Sequence, residues 1–328
     1  MGGDMNGEEP ERLALGEPAA TLWRETRAAL RKAFDALPGG PHEWRFGGGT
    51  ILAARWGHRT SFDIDLTVGP GVDVDELLDP PGNEMGTLAA RLGGRLEPSI
   101  RNPARHLKVR FPTHPALKDS ALDISRLQPE PARGQRPALV DGTMTLVLDS
   151  AQILRGKLER AERSPVRDVF DMATAAHSDP GALAVAVNCL THQYANVIAG
   201  IWKLSRRRFA SEATDYLAGV PEPFRIDPQS LGERAARAIE DSLYRSVLIQ
   251  AEHGIGTVEA TTGGGHVNRF AFRAEEFEAG LEASGIGIYL RMNARAGNAL
   301  RRDFPRRIRE SAGTRVLLWD ARGAGAGG

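Results

Sequence analysis

The stretch Arg45 to Val68, RFGGGTILAARWGHRTSFDIDLTV, sets the reading of the whole chain. Glu43 to Phe46 reads as a short strand, Gly47-Gly48-Gly49 as a tight loop, Thr50 to Trp56 as a helix and Ser61 to Val68 as a second strand. Residues two apart in a strand point to the same face, so Asp63 and Asp65 are neighbours while Ile64 and Leu66 face a core. Two adjacent carboxylates repel one another. On a solvated edge water screens the cost; at a functional site a divalent cation removes it. Mg²⁺ is typically held by one or two carboxylates plus substrate phosphates, and two such ions stabilise the attacking and leaving oxygens of an in-line displacement.

The loop adds to this by position. Gly47-Gly48-Gly49-Thr50 ends a strand and opens a helix, where unpaired N–H groups and the helix dipole favour a phosphate. A three-glycine turn is by itself most often structural, but here one short helix returns the chain from it to Asp63. Neither GxxxxGK[ST] nor GxGxxG occurs, and HExxH and GxSxG are absent too, so zinc-protease and serine-hydrolase chemistry has no starting point. Asp123, in SALDIS, supplies a third carboxylate on a later strand, opposite in facing to Leu122 and Ile124; Asp119 is the alternative. Arg59 either contacts phosphate or pairs with Asp63 or Asp65, and His58 and Ser61 lend support between helix and strand.

Outward from this stretch, 328 residues suggest two domains. With 41% hydrophobic and 26% charged residues the composition is globular, which excludes disorder as the main state. Basic and acidic residues number 42 each, so no global field draws the chain onto nucleic acid or anionic lipid, and any such binding must be local. Cys189 is the single cysteine, which excludes an internal disulfide framework and multi-cysteine metal patterns. No apolar stretch approaches the roughly 18 residues of a membrane span, and the start MGGDMNGEEPERL is acidic where a secretory signal is basic. A soluble, cytoplasmic protein without membrane partners is expected.

The expected organisation is a mobile tail over 1–20, an α/β core over 21–150, a mostly helical domain over 151–320 and a disordered tail over 321–328. Helical spacing runs from Thr21 to Leu37 and from Asn83 to Leu92. Leu107-Val109-Phe111, Leu122-Ile124 and Thr143 to Leu148 read as strands. Beyond Asp149 the pattern is helical, with Ser164-Pro165 as a helix opening, long helices to about Arg208 and another over Asp227 to Glu252; Thr257 to Phe272 reads as a hairpin. In KLERAERSPVRDVFDMA, Lys157, Arg163, Arg167, Asp168 and Asp171 fall on two adjacent helices, Asp168 and Asp171 sharing a face. They are either a salt-bridged helical hairpin or cations and carboxylates placed beside a triphosphate.

These residues together resemble the AbiEii/AbiGii toxin family of nucleotidyltransferases, within the polymerase-β-like superfamily. The family pattern GGT-x-L followed by HR-x-S-x-D-[LI]-D is met by Gly48-Gly49-Thr50-Ile51-Leu52 and His58-Arg59-Thr60-Ser61-Phe62-Asp63-Ile64-Asp65 with its spacing intact. The later K…R…RD-x-x-D pattern is similar to Lys157, Arg163, Arg167, Asp168 and Asp171. The resemblance covers about Trp44 to Ala175, and departs where Leu66-Thr67 stands in place of aromatic or bulkier apolar residues. It implies an α/β (α+β) nucleotidyltransferase core with a mixed sheet and a mostly α-helical C-terminal domain. It also implies Mg²⁺ or Mn²⁺ dependence, an NTP substrate, and a role as the toxin of a toxin–antitoxin or phage-defence pair, with a cognate antitoxin as partner. Some relatives are similar to enzymes that add nucleotides to the acceptor end of tRNA.

On this reading Asp63 and Asp65 hold the metals, and Asp123 is a further ligand and general base. Gly48, Gly49 and Thr50 cradle the triphosphate, with Arg59 and Ser61 beside them. Lys157 and Arg167 steady its charge, and Asp168 and Asp171 orient those cations or touch the nucleotide. The acceptor hydroxyl belongs to tRNA, to a small molecule or to a protein side chain. Arg206-Arg207-Arg208 and the cluster from Arg301 to Arg309 either track an RNA backbone or are solvated helix ends. The rival from another class is an NTP-binding regulatory or interaction module without turnover.

Overall fold

The computed structural model describes residues 9–37, 43–69, 71–78, 84–98, 106–126, 135–160, 164–190, 199–200, 203–206, 209, 216–217, 219–252, 255–293 and 315–320. They fall into two compact units, one of Met1–Asp149 with Gly219–Glu222, the other of Ser150–Ala218 with Pro223–Gly328.

The first unit is built on β1 (Glu11–Leu13), α1 (Ala19–Asp35), β2 (Trp44–Gly47), α2 (Gly48–Trp56), β3 (Ile64–Val68), α3 (Glu84–Arg91), β4 (Arg95–Pro98), β5 (His106–Arg110), β6 (Ala121–Arg126), β7 (Gln135–Val140) and β8 (Thr143–Leu148). Its eight strands form one mixed sheet in the order β1-β7-β8-β2-β3-β6-β5-β4. Each central strand alternates. Ile64, Leu66 and Val68 of β3, Leu122 and Ile124 of β6 and Leu107 and Val109 of β5 are buried on one face, leaving Asp65, Asp123 and Lys108 on the other. α1 repeats Leu22, Trp23, Thr26, Leu30, Ala33 and Phe34 at helical spacing, all buried. Trp23 packs on Trp44 and Phe46 with ring centroids 5.7 and 5.1 Å away, and its Nε1 donates to the Val140 carbonyl at 3.3 Å. Each such side chain contributes about 1.5–3 kcal/mol through burial, so the core holds the apolar face and leaves the polar face to chemistry.

The second unit opens with α4 (Ser150–Leu158), α5 (Val166–Ser178) and α6 (Pro180–Cys189) and continues with α7 (Leu231–Asp241). β9 (Tyr244–Glu252), β10 (Ile255–Thr262) and β11 (Val267–Arg273) follow, then α8 (Phe277–Ala283), α9 (Ile286–Asn293) and β12 (Arg315–Asp320). Its four strands form an antiparallel sheet in the order β11-β10-β9-β12. Val247, Ile249, Val258 and Ala260 are buried with Phe277, Leu281, Ile286 and Tyr289.

The α/β core with a mixed sheet, followed by a mostly helical region, agrees with the expectation. Particular segments differ. Glu11–Leu13, assigned to a mobile tail, is strand β1: it pairs in parallel with Ala138–Val140, and Asp141 brackets it, its N donating to the Leu13 carbonyl and its Oδ1 accepting from Leu15 N, each at 3.0 Å. Three residues are too short to show a period. Tyr244–Glu252, read as helix, is a strand, because buried Val247 and Ile249 alternate with Leu248 and Gln250 along a ladder to β10; a short apolar run does not separate the two states. β4 and β7 were not anticipated. The Thr257–Phe272 hairpin is present as β10 and β11. Residues 321–328 and Arg301 to Arg309 lie outside the described residues, as do Arg207 and Arg208.

Candidate functional site

The polar face of the first sheet is organised around the junction of β2, α2 and β3. Gly48 opens α2 with φ +68°, a left-handed conformation that glycine adopts without steric cost. A β-carbon there would overlap the Asp65 carboxylate and lie 2.5 Å from the Asp65 Cβ. The loop is therefore bare so that Asp65, paired with Gly47 across the β2–β3 ladder, can occupy the space above it. Gly57, at φ +63°, ends α2 in a left-handed cap and turns the chain toward β3.

Thr50 fixes the return. Its hydroxyl shares a 2.6 Å hydrogen bond with Ser61 Oγ and donates to the Asp63 carbonyl. β3 begins at Ile64 rather than at Ser61 as the alternation suggested, just after the carbonyl that Thr50 holds. Thr50 and Ser61 are both buried, so their hydroxyls brace the loop that carries Asp63. Asp63 Oδ1 accepts the backbone N–H of Ala121 at 3.0 Å, tying the loop to the first residue of β6. Phe62, between these pinned residues, is 41% exposed. Arg59 donates through Nη1 to the Thr60 carbonyl at 3.2 Å.

β3 and β6 run in parallel with Asp65 directly opposite Asp123. Asp119 lies in the exposed turn before β6, so register puts Asp123 beside Asp65. The same row continues through Lys108 of β5 to Glu97 of β4. Both Asp123 oxygens are engaged: Oδ1 meets His106 Nε2 at 2.6 Å, and Oδ2 accepts from Lys108 Nζ at 3.5 Å. Burial pushes the Asp123 carboxyl up, but the hydrogen bonds and charges of His106 and Lys108 outweigh it and leave it below the usual 3.8. His106 is raised above 6.5, chiefly by its hydrogen bond to Asp123, against burial and the charge of Lys108. Neither His106 nor Lys108 was singled out from sequence. Their signal was present in the alternation of His106-Leu107-Lys108-Val109-Arg110, which sets both opposite the core side.

Among the described residues, no three His, Cys, Asp or Glu side chains gather closely enough to hold a metal ion.

The second group of expected residues lies within the second unit. Lys157 of α4 is 4% exposed and Asp171 of α5 is 0% exposed. Lys157 Nζ is 3.0 Å from Asp171 Oδ2 and also donates to Asp168 Oδ1, while Arg160 reaches Asp168 Oδ2 at 3.1 Å. Arg167 stands on the exposed side of α5, whereas Asp168 and Asp171 are on its buried side. Ser164, expected to cap α5, instead donates to the carbonyls of Lys157 and Arg160, at 3.4 and 3.2 Å. Carbonyls at the end of α4 lack full intrahelical bonding, and the buried hydroxyl adds a donor to two of them, that of Lys157 also accepting the Arg160 N–H at 3.3 Å. Arg163 is outside the described residues. No helix among the described residues is long and apolar enough to cross a membrane.

Comparison with known proteins identifies the family. The family model described as nucleotidyl transferase AbiEii toxin, type IV TA system, matches residues 32–282, well over half of the chain. No curated protein matches the sequence. Among solved structures, the crystal structure of JHP933 from Helicobacter pylori aligns over 69% of this chain and 91% of its own, at 13% identity and a TM-score of 0.37, a likeness too distant to bear on function. With a family match of that extent and the glycine loop seated against the paired carboxylates, the chain belongs to the AbiEii family of nucleotidyl transferase toxins.

Proposed function

We propose that the protein transfers a nucleoside monophosphate from an NTP to an acceptor hydroxyl, with RNA, tRNA first, as the acceptor. The observation that carries this is the seat of Asp65 on Gly48 with Asp123 directly across the sheet. It joins a phosphate-compatible backbone turn to carboxylates on one face. The acceptor oxygen forms a bond to the α-phosphorus, the bond from that phosphorus to the bridging oxygen breaks, pyrophosphate leaves, and the hydroxyl proton passes to a carboxylate or to water.

The donor set suits a hard divalent cation, Mg²⁺ or Mn²⁺. Asp65 and Asp123 offer oxygens from adjacent strands about 4.8 Å apart, with Asp63 two residues before Asp65. When bound, such an ion neutralises charge on the transferring phosphate. The chain's own residues do the rest. Asp63 and Asp65 are the ligands, and Asp123 is the third ligand or the proton acceptor. Gly48 and Gly49 let the backbone approach the triphosphate, and Thr50 and Ser61 hold the loop that positions Asp63. Arg59 and Arg167 are assigned to phosphate charge. Lys157, Asp168 and Asp171 are assigned to the nucleotide as the family pattern implies, with the two aspartates orienting the lysine. As a toxin acting on tRNA it would arrest translation, and a cognate antitoxin would oppose it.

The test is incubation of the wild type and of Asp63→Asn/Asp65→Asn with each α-³²P-labelled NTP, Mg²⁺ and total cellular RNA, read on a denaturing gel. Label on tRNA-sized bands that the variant does not produce is the expected result. Label confined to small molecules or protein would move the acceptor elsewhere. Nucleotide binding without turnover at any acceptor would favour a regulatory module.

A further inference from the structure

The row Asp65, Asp123, Lys108, Glu97 crosses four strands in register, with His106 two residues before Lys108 on β5 and opposite Ser125. Two carboxylates directly opposite on neighbouring strands repel, and in this chain two side chains of β5 bond to one of them, Asp123. His106 takes Asp123 Oδ1 and Lys108 takes Oδ2, while Asp65 rests against Gly48. Both side chains come from β5, the strand that flanks β6 on the side away from Asp65. Asp123 is thus drawn toward β5 at the position where convergence on an ion would draw it toward β3.

Resting on the nucleotidyltransferase reading for the identity of the metal-binding carboxylates, we propose that His106 and Lys108 are resident hydrogen-bonding partners of Asp123, the lysine bringing a positive charge. A divalent metal must displace them, and they therefore set the metal affinity of the site. The sign follows from the charges. An ammonium a few ångströms from a carboxylate lowers the negative potential that a metal ion meets there, whatever the detail of the hydrogen bonding. Metal binding at Asp123 then exchanges the His106 Nε2 and Lys108 Nζ bonds for a metal–oxygen bond, with no covalent change in the protein. The opposite arrangement, in which the two side chains preorganise Asp123 for the metal, makes the reverse prediction, that removing them weakens binding.

The experiment is a Mn²⁺ titration of the full chain, without NTP or acceptor, followed by electron paramagnetic resonance of the free ion. Wild type, Lys108→Met, His106→Ala/Lys108→Met, Asp123→Asn and the triple variant are compared, with circular dichroism checking the fold of each. The expected results are Mn²⁺ affinity raised about threefold in Lys108→Met and about tenfold in the double variant, lowered about tenfold in Asp123→Asn, and in the triple variant equal to that of Asp123→Asn. Affinity that is unchanged or reduced in both Lys108→Met and the double variant overturns the proposal, and so does wild-type affinity in Asp123→Asn. Lys108→Met alone decides if the double variant does not fold. Nucleotide transfer is assayed separately. Shifted Mn²⁺ affinities without transfer would defeat the functional reading alone, and transfer with unshifted affinities would defeat this proposal alone.

Discussion

Gly48 and Asp65 occupy one space: a β-carbon on Gly48 would lie 2.5 Å from the Asp65 Cβ and overlap the carboxylate beyond it. Gly48→Ala should therefore displace Asp65 and also strain a backbone at φ +68°. Misplacement of a reacting group by about 1 Å commonly costs on the order of 100-fold in rate, so nucleotide transfer should fall at least that far while circular dichroism shows a folded chain. Full activity in Gly48→Ala would mean that Asp65 is not needed where it sits.

Thr50 acts on Asp63 through the backbone. Thr50→Val removes the hydrogen bonds to Ser61 and to the Asp63 carbonyl, at a cost of about 1–3 kcal/mol for the polar groups left unpaired. Thr50→Ser keeps both. Denaturant unfolding and transfer rate should fall together in the valine variant and recover in the serine variant; a valine variant with wild-type transfer would detach the brace from the site.

Lys157 is buried between two buried carboxylates. Removing one partner of a buried ion pair costs about 3–5 kcal/mol because the other charge stays without compensation. Lys157→Met should lower the melting temperature strongly, and adding Asp168→Asn and Asp171→Asn should restore part of the loss. A wild-type melting temperature in Lys157→Met would mean that its two ion pairs do not stabilise the fold.

The edge strand β1 carries a pH dependence. Burial pushes the Glu11 carboxyl up, but the hydrogen bond and charge of Arg55, with the charge of Arg136, bring it below 4.5 overall. A carboxylate lowered on folding contributes stability above its unfolded value of about 4.5, lost as pH falls through the folded value. The melting-temperature gap between wild type and Glu11→Gln should thus be constant at neutral pH and close on acidification below about pH 4.5. A gap independent of pH would contradict the assignment.

What could be read from sequence follows from distance along the chain. Gly48, Asp63 and Asp65 lie within one strand-loop-helix-strand unit, so local periodicity and the glycine turn are enough to bring them to one place. The β3–β6 register that sets Asp123 opposite Asp65 is a pairing between distant segments, and alternation gave only its face. His106 and Lys108 were missed for the same reason, since their meaning depends on which strand lies beside β5. Ser164 was read through a local capping pattern, whereas its hydroxyl donates to carbonyls at the end of the preceding helix. β9 was missed because Val247-Leu248-Ile249 carries no period of its own, and its state was decided by the ladder to β10.

The central claim is that Asp65, seated on Gly48, serves transfer of the α-phosphoryl group. The direct measurement compares NTP labelled at the α- and γ-phosphorus, with wild type and Asp65→Asn, in the presence of RNA and Mg²⁺. The account predicts α-label on RNA and γ-label in pyrophosphate in equal amounts with the wild type, and neither with Asp65→Asn. Transfer of γ-label to the acceptor, or undiminished α-transfer by Asp65→Asn, would contradict it.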